Sequence, residues 1–127
     1  MANSRTLAHD RLALIQGLYF VATGVWPLVH YRSFEAVTGP KVDTWLVKTV
    51  GALAAAIGVS LIAGSRREGP SPETRVLGAA SALAFGAVDV WYSLSGRISP
   101  VYLADAAVEA GFGAAWLLGE APPSAAE

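Results

Sequence analysis

Long uncharged apolar stretches alternate along the chain with short segments that are charged or broken by proline and glycine. Leu12 to Val29 carries no charge. Thr49 to Ser65 carries none either and is extended upstream by Trp45, Leu46 and Val47. Val76 to Leu94 holds only Asp89, and Val101 to Gly119 holds Asp105 and Glu109. Each stretch approaches the roughly 20 residues with which a helix crosses about 30 Å of hydrocarbon. A soluble helix keeps a polar stripe along its whole length, and the second stretch shows none beyond Ser60. The pattern predicts an all-α fold, an integral membrane four-helix bundle, with spans at about 12–30, 45–65, 76–94 and 101–119 of a single membrane domain over 1–127.

The breaks support this division. Arg66-Arg67-Glu68-Gly69-Pro70-Ser71-Pro72-Glu73 cannot be helical through its middle. In Gly96-Arg97-Ile98-Ser99-Pro100, the last two residues are placed to start a helix. Between Tyr31 and Asp43, Tyr31, Phe34 and Val37 recur at a spacing of three, which predicts a short interfacial helix stopped by Thr38-Gly39-Pro40. The first stretch is longer than the apolar core of a signal peptide and ends without a small-x-small site, so it reads as a permanent span. Residues 120–127 read as a disordered tail. Small residues recur every four positions at Ala56-Ser60-Gly64, Gly78-Ala82-Gly86 and Ala107-Gly111-Ala115-Gly119, while Gly17 and Gly24 stand seven apart. Such stripes let helices approach closely in lipid and leave a face open for a homodimer.

Composition narrows the function. Apolar residues make up 54% and charged residues 15%, with a net charge of −1 and a mean hydropathy of +0.45. That balance removes the basic footprint of a nucleic-acid binder. The absence of cysteine excludes disulfides, thiolate metal sites, iron–sulfur clusters and cysteine nucleophiles. No phosphate-binding glycine loop is present, and Gly111-Phe112-Gly113 sits inside a span without the final glycine of a dinucleotide fingerprint. With the N-terminus inside, Arg5, Arg11, Arg66, Arg67 and Arg75 fall on the inner side, against Arg32, Lys41, Lys48 and Arg97 outside. This bias places both termini in the cytoplasm.

Charge inside a span is costly, about 2.5–3.5 kcal/mol at mid-bilayer, so such residues mark sites or pair with one another. In the predicted topology Lys48, His30, Asp89, Asp105 and Glu109 all lie in the outer half of the membrane. Asp105 and Glu109 share a helix face, with Tyr102 one turn above. On the first span Gln16, Tyr19, Thr23, Trp26 and His30 form a polar and aromatic seam. The candidate ligand-binding set is therefore Glu109, Asp105, Asp89, Lys48, His30, Trp26, Trp91, Tyr102 and Gln16. In the structural alternative Lys48 neutralises one carboxylate, and Arg97 or Arg32 reaches another. No cofactor is indicated. His9 and His30 stand at opposite ends of the first span, too far apart for a bis-histidine haem. A metal held by Asp89, Asp105, Glu109 and His30 lacks any tight ligand spacing. A Ser-His-Asp arrangement has only the proximity of Ser93 and Asp89 behind it.

Arg11 before Gly17-Leu18-Tyr19-Phe20-Val21-Ala22-Thr23-Gly24, then Trp26-Pro27-Leu28, Phe34 and the glycine-rich Lys48-Thr49-Val50-Gly51-Ala52-Leu53 through Gly58, resembles the DoxX-like group of small bacterial four-helix membrane proteins. The resemblance covers residues 11 to 67 and implies a bacterial plasma membrane location. It also implies a role as an accessory subunit in quinone-coupled sulfur oxidation or oxidative-stress complexes. It supplies no catalytic motif. The expected function is binding of a small or lipid-like ligand in an outer-half polar cavity, or service as an accessory subunit. The partners are the bilayer, that ligand, and a second copy or another membrane protein. The rival is a membrane enzyme using carboxylate acid/base chemistry on a lipid, quinone or sterol-like substrate. A cation pathway is least favoured, because Gln16 is the sole deep polar group expected on the first span.

Overall fold

The computed structural model describes residues 4–67 and 69–118, and every regular element among them is an α-helix. Helix α1 runs over Ser4–Val29, α2 over Tyr31–Thr38, α3 over Thr44–Ser65, α4 over Pro72–Leu94 and α5 over Tyr102–Leu118. The first helix thus begins well before the apolar stretch, carrying Asp10 and Arg11 in its early turns. The expected tail at 120–127 lies outside the described residues.

The short helix α2 forms where the three-residue spacing places it. His30 is its N-cap, the ring Nδ1 accepting from the Ser33 N–H at 3.2 Å. Gly39 ends it with φ of +96°, a left-handed conformation that suits glycine, and its N–H donates to the Glu35 carbonyl at 2.8 Å. Helix α4 starts on Ser71, whose Oγ accepts from the Thr74 N–H at 3.1 Å, followed by Pro72, which needs no donor partner there.

Helices α1, α3 and α4 are long and apolar enough to cross a membrane. Their outward faces are apolar as well, with Ile15, Leu53 and Val59 each more than half exposed. Apolar surface of this extent turned outward marks an integral membrane protein. Helix α5 covers most of the expected fourth span and is not among the helices long and apolar enough, within the described residues, to cross a membrane. It has 17 residues, about 25 Å at 1.5 Å per residue, and carries both Asp105 and Glu109.

Helices α1 and α3 lie antiparallel with their backbones in contact, Gly17 against Gly58 and Gly24 against Gly51. A Cβ at Gly58 would stand 2.6 Å from the Gly17 carbonyl oxygen, and one at Gly17 would stand 2.7 Å from that of Gly58. The face of α3 used here is Gly51, Ala54, Gly58, Leu61 and Gly64. Ala56 and Ser60 of the expected stripe are exposed. The α5 stripe is likewise rotated outward: Ala107, Gly111 and Ala115 are exposed, while Ala106, Glu109, Gly113 and Trp116 point inward. Glu109 and Trp116 take the interior positions of α5 and turn the Ala107, Gly111 and Ala115 stripe outward. The α4 stripe does pack: Gly78 receives the Trp116 indole, and a Cβ at Gly86 would lie 3.3 Å from the Glu109 Cβ.

Large side chains join the α1–α3 pair to the α4–α5 pair. Phe20 meets Phe85 edge-on at 5.4 Å and Tyr19 meets Phe112 edge-on at 5.7 Å. Between the pairs, two separate polar groupings are buried.

Candidate ligand site: a carboxyl cluster between α1, α4 and α5

The first grouping draws one face from each of three helices. Asp89 is buried on the inner face of α4, and Glu109 is buried on α5. Asp105, one turn before Glu109, is half-buried and accepts a hydrogen bond from the Tyr19 hydroxyl of α1. Asp89 and Asp105 face each other across the α4–α5 contact, and the charges acting on Asp89 are those of Asp105 and Glu109. Asp105 is the charge that acts on Glu109. Among the described residues no cation stands with them. Asp89 Oδ2 and Glu109 Oε1 are buried and have no hydrogen-bond partner. Carboxylate oxygens shut away from water without a donor are costly, and like charges so close in a low-dielectric interior repel strongly. Beyond the Tyr19 hydroxyl, which Asp105 takes, and the hydrogen bond between Asp89 and Asp105, the cluster supplies no donor, so it accepts protons, a cation or a hydrogen-bond donor.

Lys48, the expected counter-charge, is elsewhere. It is exposed on α3, with its ammonium 5.8 Å from the centre of the Tyr31 ring. Its helix packs its glycine face on α1, which turns Lys48 away from α5. His30 is also outside the cluster, exposed and engaged as the α2 cap. Trp26 donates through Nε1 to Ser33 Oγ at 2.8 Å and stands edge-on to Phe34 at 5.4 Å, fastening α2 to α1. Trp91 is exposed on the outer face of α4. Tyr102 does lie above the cluster, within the field of Asp89 and Asp105, and its ring receives the Lys41 ammonium at 5.1 Å.

Lys41 closes this end of the molecule. Its Nζ donates to the Thr38 carbonyl at 2.9 Å, to Thr38 Oγ1 at 3.1 Å and to the Gly39 carbonyl at 2.8 Å, serving the free carbonyls at the end of α2. Burial holds its ammonium below the ordinary lysine range, with Glu35 opposing the shift. A cavity of about 420 Å³ lies beside it, between Thr38–Val42 and Gly96–Ser99, with Arg97 on the far wall.

Gln16 belongs to the second grouping, nearer the amino-terminal end of α1. It is fully buried, its Nε2 donating to the Gly78 carbonyl at 2.9 Å and its Oε1 accepting from Trp116 Nε1 at 2.6 Å. The Trp116 ring stacks on buried His9 at 5.3 Å. The amide and the indole satisfy each other and the backbone, so Gln16 ties α1 to both α4 and α5. Gln16→Leu is expected to leave the buried Trp116 N–H unpaired, while the Gly78 carbonyl keeps Ser81 Oγ at 3.3 Å, and to cost about 1–2 kcal/mol. Thermal unfolding in detergent, with tryptophan emission as the readout, checks this.

Sequence reasoning gathered Asp89, Asp105, Glu109 and Tyr102 correctly into one region. It placed Tyr19 in the seam without a role, although its three-residue offset from Gln16 puts it on the same inward face. The Trp116 indole N–H, which needs an acceptor inside the bundle, is the signal that would have paired it with Gln16.

Among the described residues, no three histidine, aspartate or glutamate side chains are placed to hold a metal ion. The chain matches no known family model, no curated protein and no solved structure.

Proposed function

We propose that α5 completes a four-helix membrane bundle and that the Asp89–Asp105–Glu109 cluster binds a small or lipid-like molecule through a cationic or hydrogen-bond-donating group. The single observation that carries this is the pair of buried, unpartnered carboxyl oxygens, Asp89 Oδ2 and Glu109 Oε1, in a cluster with no cation among the described residues. An ammonium or amide N–H group would meet both needs, charge and donors, at once. Tyr19 steadies Asp105, and the edge of Phe112 against Tyr19 closes the site from below. Both termini lie in the cytoplasm in this reading, and the site opens toward the outer half of a bacterial plasma membrane.

Passage across the membrane is less well supported than binding. Beneath the cluster stand Phe20, Phe85 and Phe112, then the closed Gln16–Trp116–Gly78 arrangement. Neither an amide nor an indole relays protons readily, so the cluster is a dead end toward the cytoplasm. A site of this kind suits a ligand-binding or accessory subunit, as the DoxX-like resemblance also suggests.

Native mass spectrometry of the purified protein beside Asp105→Asn/Glu109→Gln tests the proposal. The expected result is a defined non-lipid adduct on the wild type that is missing from a still-folded double variant. An adduct retained by that variant, or a wild type that stays bare even when butylammonium is supplied, overturns it.

A further inference from the structure

Between α4 and α5, on the face turned away from α1, runs an open apolar groove of about 790 Å³. Its walls include Leu83, Ala87 and Ala110, and Trp91 and Ser95 stand toward its α2 end. From Ala82 to Leu94 it extends about 18 Å at 1.5 Å per residue, on the order of one leaflet of hydrocarbon. Its floor is thin. Ala82 and Ala106 offer single methyl groups, Gly86 offers none, and the Glu109 Cβ lies directly behind Gly86. Gly86, which has no side chain, thus stands between the groove and the Cβ of Glu109, whose Oε1 is buried and unpartnered.

We infer that the ligand is a bilayer-dissolved organic ammonium, its compact apolar body seated in the α4–α5 groove and its N–H group reaching Glu109 past Gly86. This rests on the carboxyl cluster being a binding site. It adds the class of ligand and the direction of entry, which is lateral from the lipid. Charge complementarity selects this occupant. A neutral acyl chain fills the apolar walls and leaves Glu109 Oε1 without a donor, and a small inorganic cation leaves the groove unused. The alternative route, through the cavity beside Lys41 and Arg97, passes two cations and the Tyr102 ring before reaching the carboxyls. A positively charged ligand is repelled there and attracted on the lipid side.

The experiment uses the full chain in phosphatidylcholine nanodiscs and two probes, dansyl-ethylenediamine, an ammonium with an apolar fluorescent body, and ethylammonium, which has almost no body. Energy transfer from tryptophan to dansyl reports the first probe, and thermal stabilisation reports the second. Ala110 and Ala87 are exposed groove residues on opposite walls, so phenylalanine at either position fills the groove without entering the packed interior. The expected result is saturable transfer that Trp91→Phe weakens. In Ala110→Phe the preference for the dansyl amine over ethylammonium falls by about tenfold or more, as for a blocked apolar pocket. Ala87→Phe repeats the effect, which guards against a folding defect in one variant.

A preference unchanged in both variants overturns the groove assignment while leaving the carboxyl site standing. Failure of ethylammonium to stabilise the wild type overturns the carboxyl site and this inference with it. If the phenylalanine variants instead convert a dimer to a monomer, the groove is occupied by a second copy of the chain and the inference is wrong.

Discussion

Gly58→Val is expected to be among the most damaging single changes in this protein, while Gly111→Ala in the next-to-last turn region of α5 is expected to be harmless or mildly stabilising. At Gly58 a Cβ meets the Gly17 carbonyl oxygen at 2.6 Å and the Val21 backbone nitrogen at 2.8 Å. Both are backbone atoms of the facing helix, and they cannot move aside as a flexible side chain would. Helices α1 and α3 must separate, and in lipid no water-driven apolar burial compensates for the lost contact. The expected cost is about 3 kcal/mol, the upper end of overpacking. At Gly111 nothing lies within 4 Å, so an added methyl group meets no neighbour and gains up to about 1 kcal/mol of helix propensity. Unfolding of the two purified variants by heat or by increasing denaturing detergent gives the comparison. Equal destabilisation of both would mean that the glycines act through propensity and not through the α1–α3 contact.

The helices were legible in the sequence because charge and proline interrupt them cleanly, and α2 was legible from only three spaced apolar residues. The packing faces were less so. Ala56-Ser60-Gly64 and Ala107-Gly111-Ala115 have the right spacing, yet both turn largely outward, because periodicity gives a stripe without saying which stripe is inside. In α5 the deciding groups are Glu109 and Trp116, seven residues apart, whose polar atoms need partners that lipid does not supply. The three carboxyl groups could be placed in one region from topology alone, since loops fix which helix ends are neighbours. The orientation of Lys48 could not. It depends on the rotation of α3 about its own axis, set by the glycine contact with α1. The same rotation leaves the cluster without a cation among the described residues, so no internal salt bridge forms there.

The second large effect follows from that missing cation. Asp105→Asn/Glu109→Gln is expected to make the ligand-free protein more stable, by about 1 kcal/mol or more, because it removes repulsion between like charges held in a low-dielectric interior. Asparagine at 105 keeps a side-chain oxygen to accept from Tyr19, and glutamine at 109 keeps the shape that fits against Gly86. What is removed is like-charge repulsion and unmet acceptor capacity. If the carboxylates held the helices together through partners of their own, the same double variant would lose stability. The sign of the change therefore separates a site kept at the expense of stability from a structural network.

The most direct measurement of the central claim adds ligand to that comparison: thermal unfolding of wild type and double variant, each with and without a saturating ammonium probe. A ligand at 100 times its dissociation constant stabilises the form that binds it by about 2.7 kcal/mol. The account predicts a crossing, with the variant more stable in buffer and the wild type more stable once butylammonium is present. A variant that is less stable in buffer and gains from the probe as much as the wild type would contradict it.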